Sequence, residues 1–291
     1  MTSERKIHEL SLEELFPQTL FETESITVDK NTELWIVGEM CAQYLESAID
    51  ALLVTENNAP VGIIGGYEIL SYLRKNPTRN AYLEHKIDKI FFKPVPQINK
   101  KIKLFELIEN WRSTRRAFSV IHNGTNDYFS ISARKMLEIG KQFRSGVYIS
   151  DIPKKKSITF NGDENVGEIL DLMFKNGTRR ILLENSNQFI SYRIIIAKIS
   201  MISKFHDLDY FLDIPINQFE FEYGKEIKSD LSLSQICLIM DKMDHPCLLY
   251  QNSIITAWDI CLILLSDKLT EYSGKNYSQK KTCPHCGKEI D

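Results

Sequence analysis

No stretch of this sequence approaches the ~18 consecutive apolar residues that a membrane-spanning helix requires. The richest run, Ile254–Leu265, is interrupted by Trp258 and Asp259. The chain also opens without the basic and apolar regions of a secretory signal. Its first residues, MTSERKIHELSLEELF, are polar and read as a short amphipathic helix with Leu10, Leu12, Leu15 and Phe16 on one side. A soluble, cytoplasmic protein without membrane contact is expected. Neither sign of charge dominates: 36 lysines and arginines face 39 aspartates and glutamates, for a net charge of −3. That balance argues against a nucleic-acid partner, because nothing global draws the chain toward phosphate backbones. The phosphate-binding loop GxxxxGK[ST], the dinucleotide fingerprint GxGxxG, the metalloprotease HExxH and the nucleophile elbow GxSxG are all missing. The six histidines are scattered, and no catalytic residue is expected. Cysteine is scarce as well. Cys41, Cys237, Cys247 and Cys261 stand singly in apolar segments and read as buried thiols, whereas Cys283 and Cys286 form a CxxC.

What the sequence does have is a unit repeated four times. Each copy is an amphipathic helix, a short apolar strand, a turn, a second apolar strand and another helix. The first copy runs Glu33–Leu45, Asp50–Thr55, the turn ENNAP and Val61–Leu73. The second runs Lys103–Trp111, Ala117–Ile121, the turn HNGTND and Tyr128–Ile139. The third runs Asn165–Lys175, Arg180–Glu184, the turn NSNQ and Phe189–Ile199. The fourth runs Leu233–Lys242, Pro246–Tyr250, the turn Gln251–Asn252 and Ser253–Leu265. The strands are continuous apolar runs, as suits strands buried on both faces, and Asn-rich turns between them signal hairpins. In every copy the second strand is expected to run straight into a helix. Anchors at that junction, Glu68, Lys135, Ile194 and Asp259, recur at intervals of about 60 residues.

VGIIGGYEIL and SIITAWDICL resemble the strand–turn–helix signature G-h-h-T/S-x-x-D of the CBS domain family, and the resemblance covers roughly residues 18–270. It implies an α/β fold of four βαββα repeats forming two tandem modules, clefts between paired repeats that bind adenine nucleotides or related ligands, dimer formation and a regulatory role. The divisions expected are a helical segment over 1–17, a first module over 18–143, a second over 144–268 and a polar tail over 269–291. The joint is placed at Gly140–Lys156, where Gly, Ser, Pro and a lysine run coincide.

In the signature, a Thr or Ser hydroxyl and backbone N–H groups at a helix start suit phosphate, and the carboxylate three residues on suits ribose hydroxyls. The fourth copy holds Thr256 and Asp259 there, preceded by Ile254 and Ile255 for an apolar base slot. The same Thr-x-x-Asp is also a capping box, so both readings stand. The other copies depart from the pattern: Glu68 follows a glycine, Ser132 is followed by Lys135, and Ser191 by Ile194. Two arginine pairs, Arg115–Arg116 and Arg179–Arg180, lie between helix and strand. They either reach a ligand phosphate or satisfy helix C-terminal carbonyls. YLRKNPTRNAY and Lys154–Lys156 read as solvated linkers.

Near the end, Cys283-Pro284-His285-Cys286-Gly287 resembles one knuckle of a zinc ribbon. A structural zinc takes four ligands, and one knuckle supplies two. Either two chains share a zinc, or the knuckle is metal-free, or a partner completes the site. Two functions therefore stay open: a non-catalytic sensor of an adenine-containing ligand (AMP, ATP or S-adenosylmethionine class) acting on an unknown regulated protein as a homodimer, or an adaptor working through repeat surfaces and the knuckle.

Overall fold

A computed structural model of the chain describes residues 6–16, 21, 24–43, 51–90, 92, 94–122, 128–143, 146–205, 210–269, 281–282 and 289–290. The N-terminal segment is a 3-10 turn over Ile7–Glu9 and then one α turn, α1 (Leu12–Leu15), rather than a single helix. The break falls at Ser11, whose N–H and hydroxyl both donate to the Glu14 carboxylate, at 2.9 and 3.0 Å, and so start a new helix.

Repeat 1 comprises β1 (Thr27–Asp29), α2 (Leu34–Gln43), β2 (Leu52–Glu56), β3 (Ala59–Ile64) and α3 (Gly66–Lys75). A connecting helix α4 (Arg79–Glu84) precedes repeat 2, which comprises β4 (Gln97–Ile98), α5 (Leu104–Thr114), β5 (Phe118–His122), β6 (Tyr128–Ser132) and α6 (Leu137–Gly140). Repeat 3 comprises β7 (Thr159–Phe160), α7 (Val166–Asn176), β8 (Arg180–Leu183), β9 (Gln188–Ser191) and α8 (Tyr192–Phe205), with β10 (Glu222–Tyr223) added beside β9. Repeat 4 comprises β11 (Lys225–Glu226), α9 (Leu233–Asp241), β12 (Leu248–Tyr250), β13 (Ser253–Ile255) and α10 (Ala257–Ile263). In every repeat the first strand pairs parallel with the second, and the second pairs antiparallel with the third. Each is therefore a βαββα unit. Two short strands in the tail, β14 (Lys281–Thr282) and β15 (Glu289–Ile290), pair antiparallel.

Local chemistry sets these elements. Hairpin turns at Asn57–Asn58 and Gln251–Asn252 place two consecutive residues at positive φ, the geometry whose twist matches the flanking strands. Asn165 accepts the Glu168 N–H at 3.0 Å while Glu168 returns to the Asn165 N–H at 2.9 Å, capping α7 at both groups. Repeat 2 departs from the expected strand-to-helix junction: Ala133–Met136 form hydrogen-bonded turns and α6 spans only four residues. Its junction carries Lys135 where the others that begin a helix directly have an acid or Ile194. The Lys135 ammonium cannot accept a backbone N–H and instead donates back to the Ser130 carbonyl at 2.6 Å. The stretch read as a solvated linker, Tyr72–Tyr82, is likewise structured. It contains the end of α3 and the start of α4, where Tyr82 is 1% exposed and hydrogen-bonds Ser200 of α8.

The four repeats share two main cores. One joins repeats 1 and 3 through α2, α3 and α8, with Leu34, Val37, Ile195 and Ile199 at its centre. The other joins repeats 2 and 4 through α5, α6, α9 and α10, and takes in the N-terminal Leu12, Leu15 and Phe16. A small sheet-to-sheet cluster of Ala51, Leu53, Ile63, Phe118 and Val120 ties repeat 1 to repeat 2. Four backbone clasps repeat the same geometry at the start of each unit's first helix. His85 and Ile87 bond to Leu34 and Thr32; Leu10 and Leu12 to Leu104 and Ile102; Ile214 and Ile216 to Val166 and Glu164; and Val147 and Ile149 to Leu233 and Leu231. Gly66, at the head of α3, lies against α8 so closely that a Cβ there would fall 2.9 Å from the Tyr192 Cβ.

Candidate functional site

The junction residues Ser132 and Ser191 end the third strand of their repeats, and Gly65 and Thr256 follow it directly. The next two residues of every copy, Gly66–Tyr67, Ala133–Arg134, Tyr192–Arg193 and Ala257–Trp258, all line one cavity of about 940 Å³. The four repeats thus point the same two positions at a shared interior. Volumes of this order accommodate a ligand as large as a nucleotide. The N-termini of α3 and α8 open on it, adding partial positive charge.

Among the described residues, ten lysines and arginines line the cavity against two carboxylates, Asp244 and Asp259. In a chain whose net charge is −3, that is a strong local segregation. Several of these cations are already engaged: Arg116 pairs with Glu68, Arg112 with Glu109 and Lys155 with Asp259. Arg134 donates to the carbonyls of Met243 and Asp244, at 2.8 and 2.9 Å, and Arg193 to that of Cys41 at 3.0 Å. Lys156 and Lys175 make no ion pair with any described residue. The Arg180 Nε is buried with no hydrogen-bond partner. A buried guanidinium N–H left without an acceptor is costly unless a ligand supplies one.

The fourth copy supplies the expected pair. Asp259, 6% exposed, accepts the Thr256 N–H and hydroxyl on Oδ2, each at 2.9 Å, and Lys155 Nζ on Oδ1 at 3.1 Å. The capping box is therefore formed and the carboxylate still faces the cavity. Ile254 lines the cavity, whereas Ile255, its neighbour across the strand, is buried in the core of repeats 2 and 4.

Glu68 lies outside the cavity lining. Its side chain is 2% exposed, one oxygen accepts the Gly65 N–H at 3.0 Å, and the other is paired with Arg116 of repeat 2. Ser132 is buried and does not line the cavity, and neither do Lys135 and Ile194. Cys283 and Cys286 lie outside the described residues, between the paired ends of β14 and β15.

The two arginine pairs are not equivalent. Arg115 is the C-cap of α5 at φ 53°, the place that Gly177 fills after α7 at φ 60°. Arg116 therefore corresponds to Thr178. Arg180 instead pairs with Ser191 across the ladder, as Phe118 pairs with Ser132, so it stands where repeat 2 has an aromatic. Arg179 and Arg180 both line the cavity, and so does His245, whose Nε2 lies 2.8 Å from Glu222 Oε1.

Sequence reasoning missed Lys155, Lys156, Arg134 and Arg193, together with the rings of Tyr67, Phe174 and Tyr192, which meet edge-on or tilted with centroids 5.5–6.4 Å apart. A signal for two of them was present: Arg134 and Arg193 occupy the same place two residues past the junction serine.

Compared with family models and with curated proteins, the sequence matches none. Among solved structures it is similar to protein MJ1225 of Methanocaldococcus jannaschii, described as a candidate archaeal homologue of g-AMPK. The match has 17% identity and a TM-score of 0.68 and spans 84% of this chain and 98% of that one. An uncharacterised conserved protein of Pyrococcus horikoshii matches at 12% identity and a TM-score of 0.49, over 84% of this chain and 97% of its own. The CBS-domain containing protein ATU1752 of Agrobacterium tumefaciens matches 41% of this chain and 89% of its own, at 15% identity and a TM-score of 0.35. The likeness to MJ1225 is one of fold, that of a mixed α/β chain of four βαββα units.

Proposed function

We propose that the protein is a non-catalytic regulatory sensor that binds an adenine-containing ligand where repeats 3 and 4 open on the central cavity. The observation that carries this reading is the charge of that cavity, ten cations against two carboxylates, in an otherwise slightly acidic chain. Cations clustered around one cavity favour a phosphate-bearing ligand, because each can make a charge-assisted contact with it. Asp259 supplies the hydroxyl acceptor, Ile254 an apolar strand face, and Arg179 and Arg180 the donors for phosphate, while Thr256 gives its N–H and hydroxyl to hold Asp259 in place. Binding would change the contacts that hold the repeats together, and through them a homodimer or a regulated protein.

Calorimetric titration with AMP, ADP, ATP and S-adenosylmethionine tests the reading. Binding tighter than millimolar is expected for at least one, weakened in Asp259→Ala. If none binds, or if Asp259→Ala changes nothing, the sensor reading is wrong.

A second reading has its own support, since three of the four junction positions cannot serve a ribose: Glu68 is sealed by Arg116, Lys135 is folded back on Ser130, and Ile194 is apolar and buried. On that reading the protein is an adaptor that dimerises or recruits a partner, and Cys283 and Cys286 share a zinc between two chains. Zinc content separates the two. About half an equivalent per chain, lost together with dimerisation in Cys283→Ser, would favour the adaptor.

A further inference from the structure

Both oxygens of Asp259 are held, and by different parts of the chain. Oδ2 starts α10 by accepting the two Thr256 donors, and Oδ1 receives the Lys155 ammonium at 3.1 Å. Lys155 belongs to the segment joining repeat 2 to repeat 3. Its side chain stays 58% exposed, while that of Asp259 is 9% exposed. The residues beside it are tied to the same repeat: Lys154 donates to Gln251 in the hairpin turn, and the Ser157 hydroxyl donates to the Asn252 carbonyl at 2.9 Å. A strap of the connecting segment therefore lies along repeat 4. It sets a cation on the carboxylate oxygen that helix capping leaves available.

We infer that Lys155 is a specificity-determining residue of this site, admitting phosphate-bearing ligands to Asp259 and disfavouring nucleosides and cationic adenine compounds. The inference rests on the adenine-ligand reading of the site. A ligand hydroxyl that reaches Oδ1 must share it with the ammonium or displace it. A phosphate offers that ammonium a replacement anion, so one charge-assisted contact is exchanged for another. A neutral nucleoside offers none, and a sulfonium adds repulsion from the ammonium and from the unpaired cations Lys156 and Lys175. Lys155 thereby converts a general hydroxyl acceptor into one conditional on negative charge nearby. The exposure of the lysine matters here, because its stem is free to swing toward the cavity that Lys156 and Ser157 also line.

The test compares wild type, Lys155→Ala and Lys155→Arg by calorimetry, using ADP, adenosine and, as an anion without a base, inorganic tripolyphosphate. Lys155 lies in an exposed connector, so all three forms are expected to fold alike. In Lys155→Ala the preference for ADP over adenosine should fall about tenfold or more, chiefly through weaker ADP binding, with most of it kept in Lys155→Arg. A preference unchanged within about twofold in Lys155→Ala, with ADP still binding, overturns the gate and leaves the adenine reading standing. If no adenine compound binds but tripolyphosphate does so in a Lys155-dependent way, the adenine reading fails and the anion gate holds. If nothing binds the wild type, both are wrong.

Discussion

Removing Arg116 should be among the most damaging single changes to this fold. The Glu68–Arg116 pair joins repeat 1 to repeat 2 with side chains 2% and 6% exposed. Arg116→Met leaves the buried Glu68 carboxylate with the Gly65 N–H as its hydrogen-bond donor among the described residues. Breaking a buried pair from one side costs about 3–5 kcal/mol, because the remaining charge stays desolvated and unpaired. For a chain of this size that is a fall in Tm of roughly 5–8 °C. The partner change, Glu68→Met, should cost a similar amount for the mirror-image reason. The double variant should recover most of the loss and keep a residue of about 1 kcal/mol, since Gly65 then lacks its cap acceptor. The assay is urea unfolding of wild type, both single variants and the double variant, read as a double-mutant cycle. The reasoning is refuted if Arg116→Met costs less than about 1 kcal/mol, or if the double variant loses the sum of the two singles.

Gly66→Ala should destabilise by about 1–3 kcal/mol in thermal unfolding, because the new methyl must push α3 away from the Tyr192 Cβ on α8. Arg180→Leu should raise the stability of the ligand-free protein by about 1 kcal/mol, since it removes a guanidinium whose Nε is buried and unpartnered. The same variant should weaken ADP binding about tenfold by calorimetry, so equal affinity would count against a phosphate role for Arg180. Burial pushes the Cys41 thiol up to about 12 and the Cys247 thiol up to about 11, from an ordinary value of 9.0. An acid whose pKa is raised in the folded state keeps its contribution below the unfolded value and loses it as pH rises through the folded one. Stability should therefore decline between pH 9 and about 11, as urea midpoints across that window would show.

Much of the fold was legible because its signals are local. The Asn57–Asn58 turn, the Asn165–Glu168 cap and the apolar strands each need only a few adjacent residues, and their fourfold recurrence reinforced every copy. What was not legible depends on distance. Lys155 looked like part of a solvated run because nothing in its own segment reveals Asp259, 104 residues away. Arg115–Arg116 and Arg179–Arg180 looked alike because identical dipeptides conceal a two-residue offset. The offset appears only once Arg115 is seen in the left-handed position that Gly177 fills in the other copy. Lys135 was visible as a departure from the signature, but its effect, a junction of turns and a four-residue α6, follows from a missing acceptor that no propensity scale weighs.

The two halves of the molecule answer the same packing problem in opposite ways, and that difference bears on function. Between repeats 1 and 2, Phe118 joins an apolar sheet-to-sheet cluster and Arg116 neutralises the junction acid, so both positions are satisfied by the chain's own side chains. Between repeats 3 and 4, Arg180 stands in the position of Phe118, its Nε without a partner among the described residues, while Leu249 of β12 and the preceding Cys247 are left to the core shared by repeats 1 and 3. The junction acid there, Asp259, is paired only with a half-exposed lysine from another segment. An unpaired buried donor costs about 1–3 kcal/mol, a large share of the stability typical of a domain. Such a cost is tolerable where a well-packed neighbour anchors the fold, and the helical cores that join repeat 1 to 3 and repeat 2 to 4 provide that anchor. The half that keeps unsatisfied charge is therefore the half in which an incoming anion has the most to gain, and those shared cores are what allow it to stay unsatisfied.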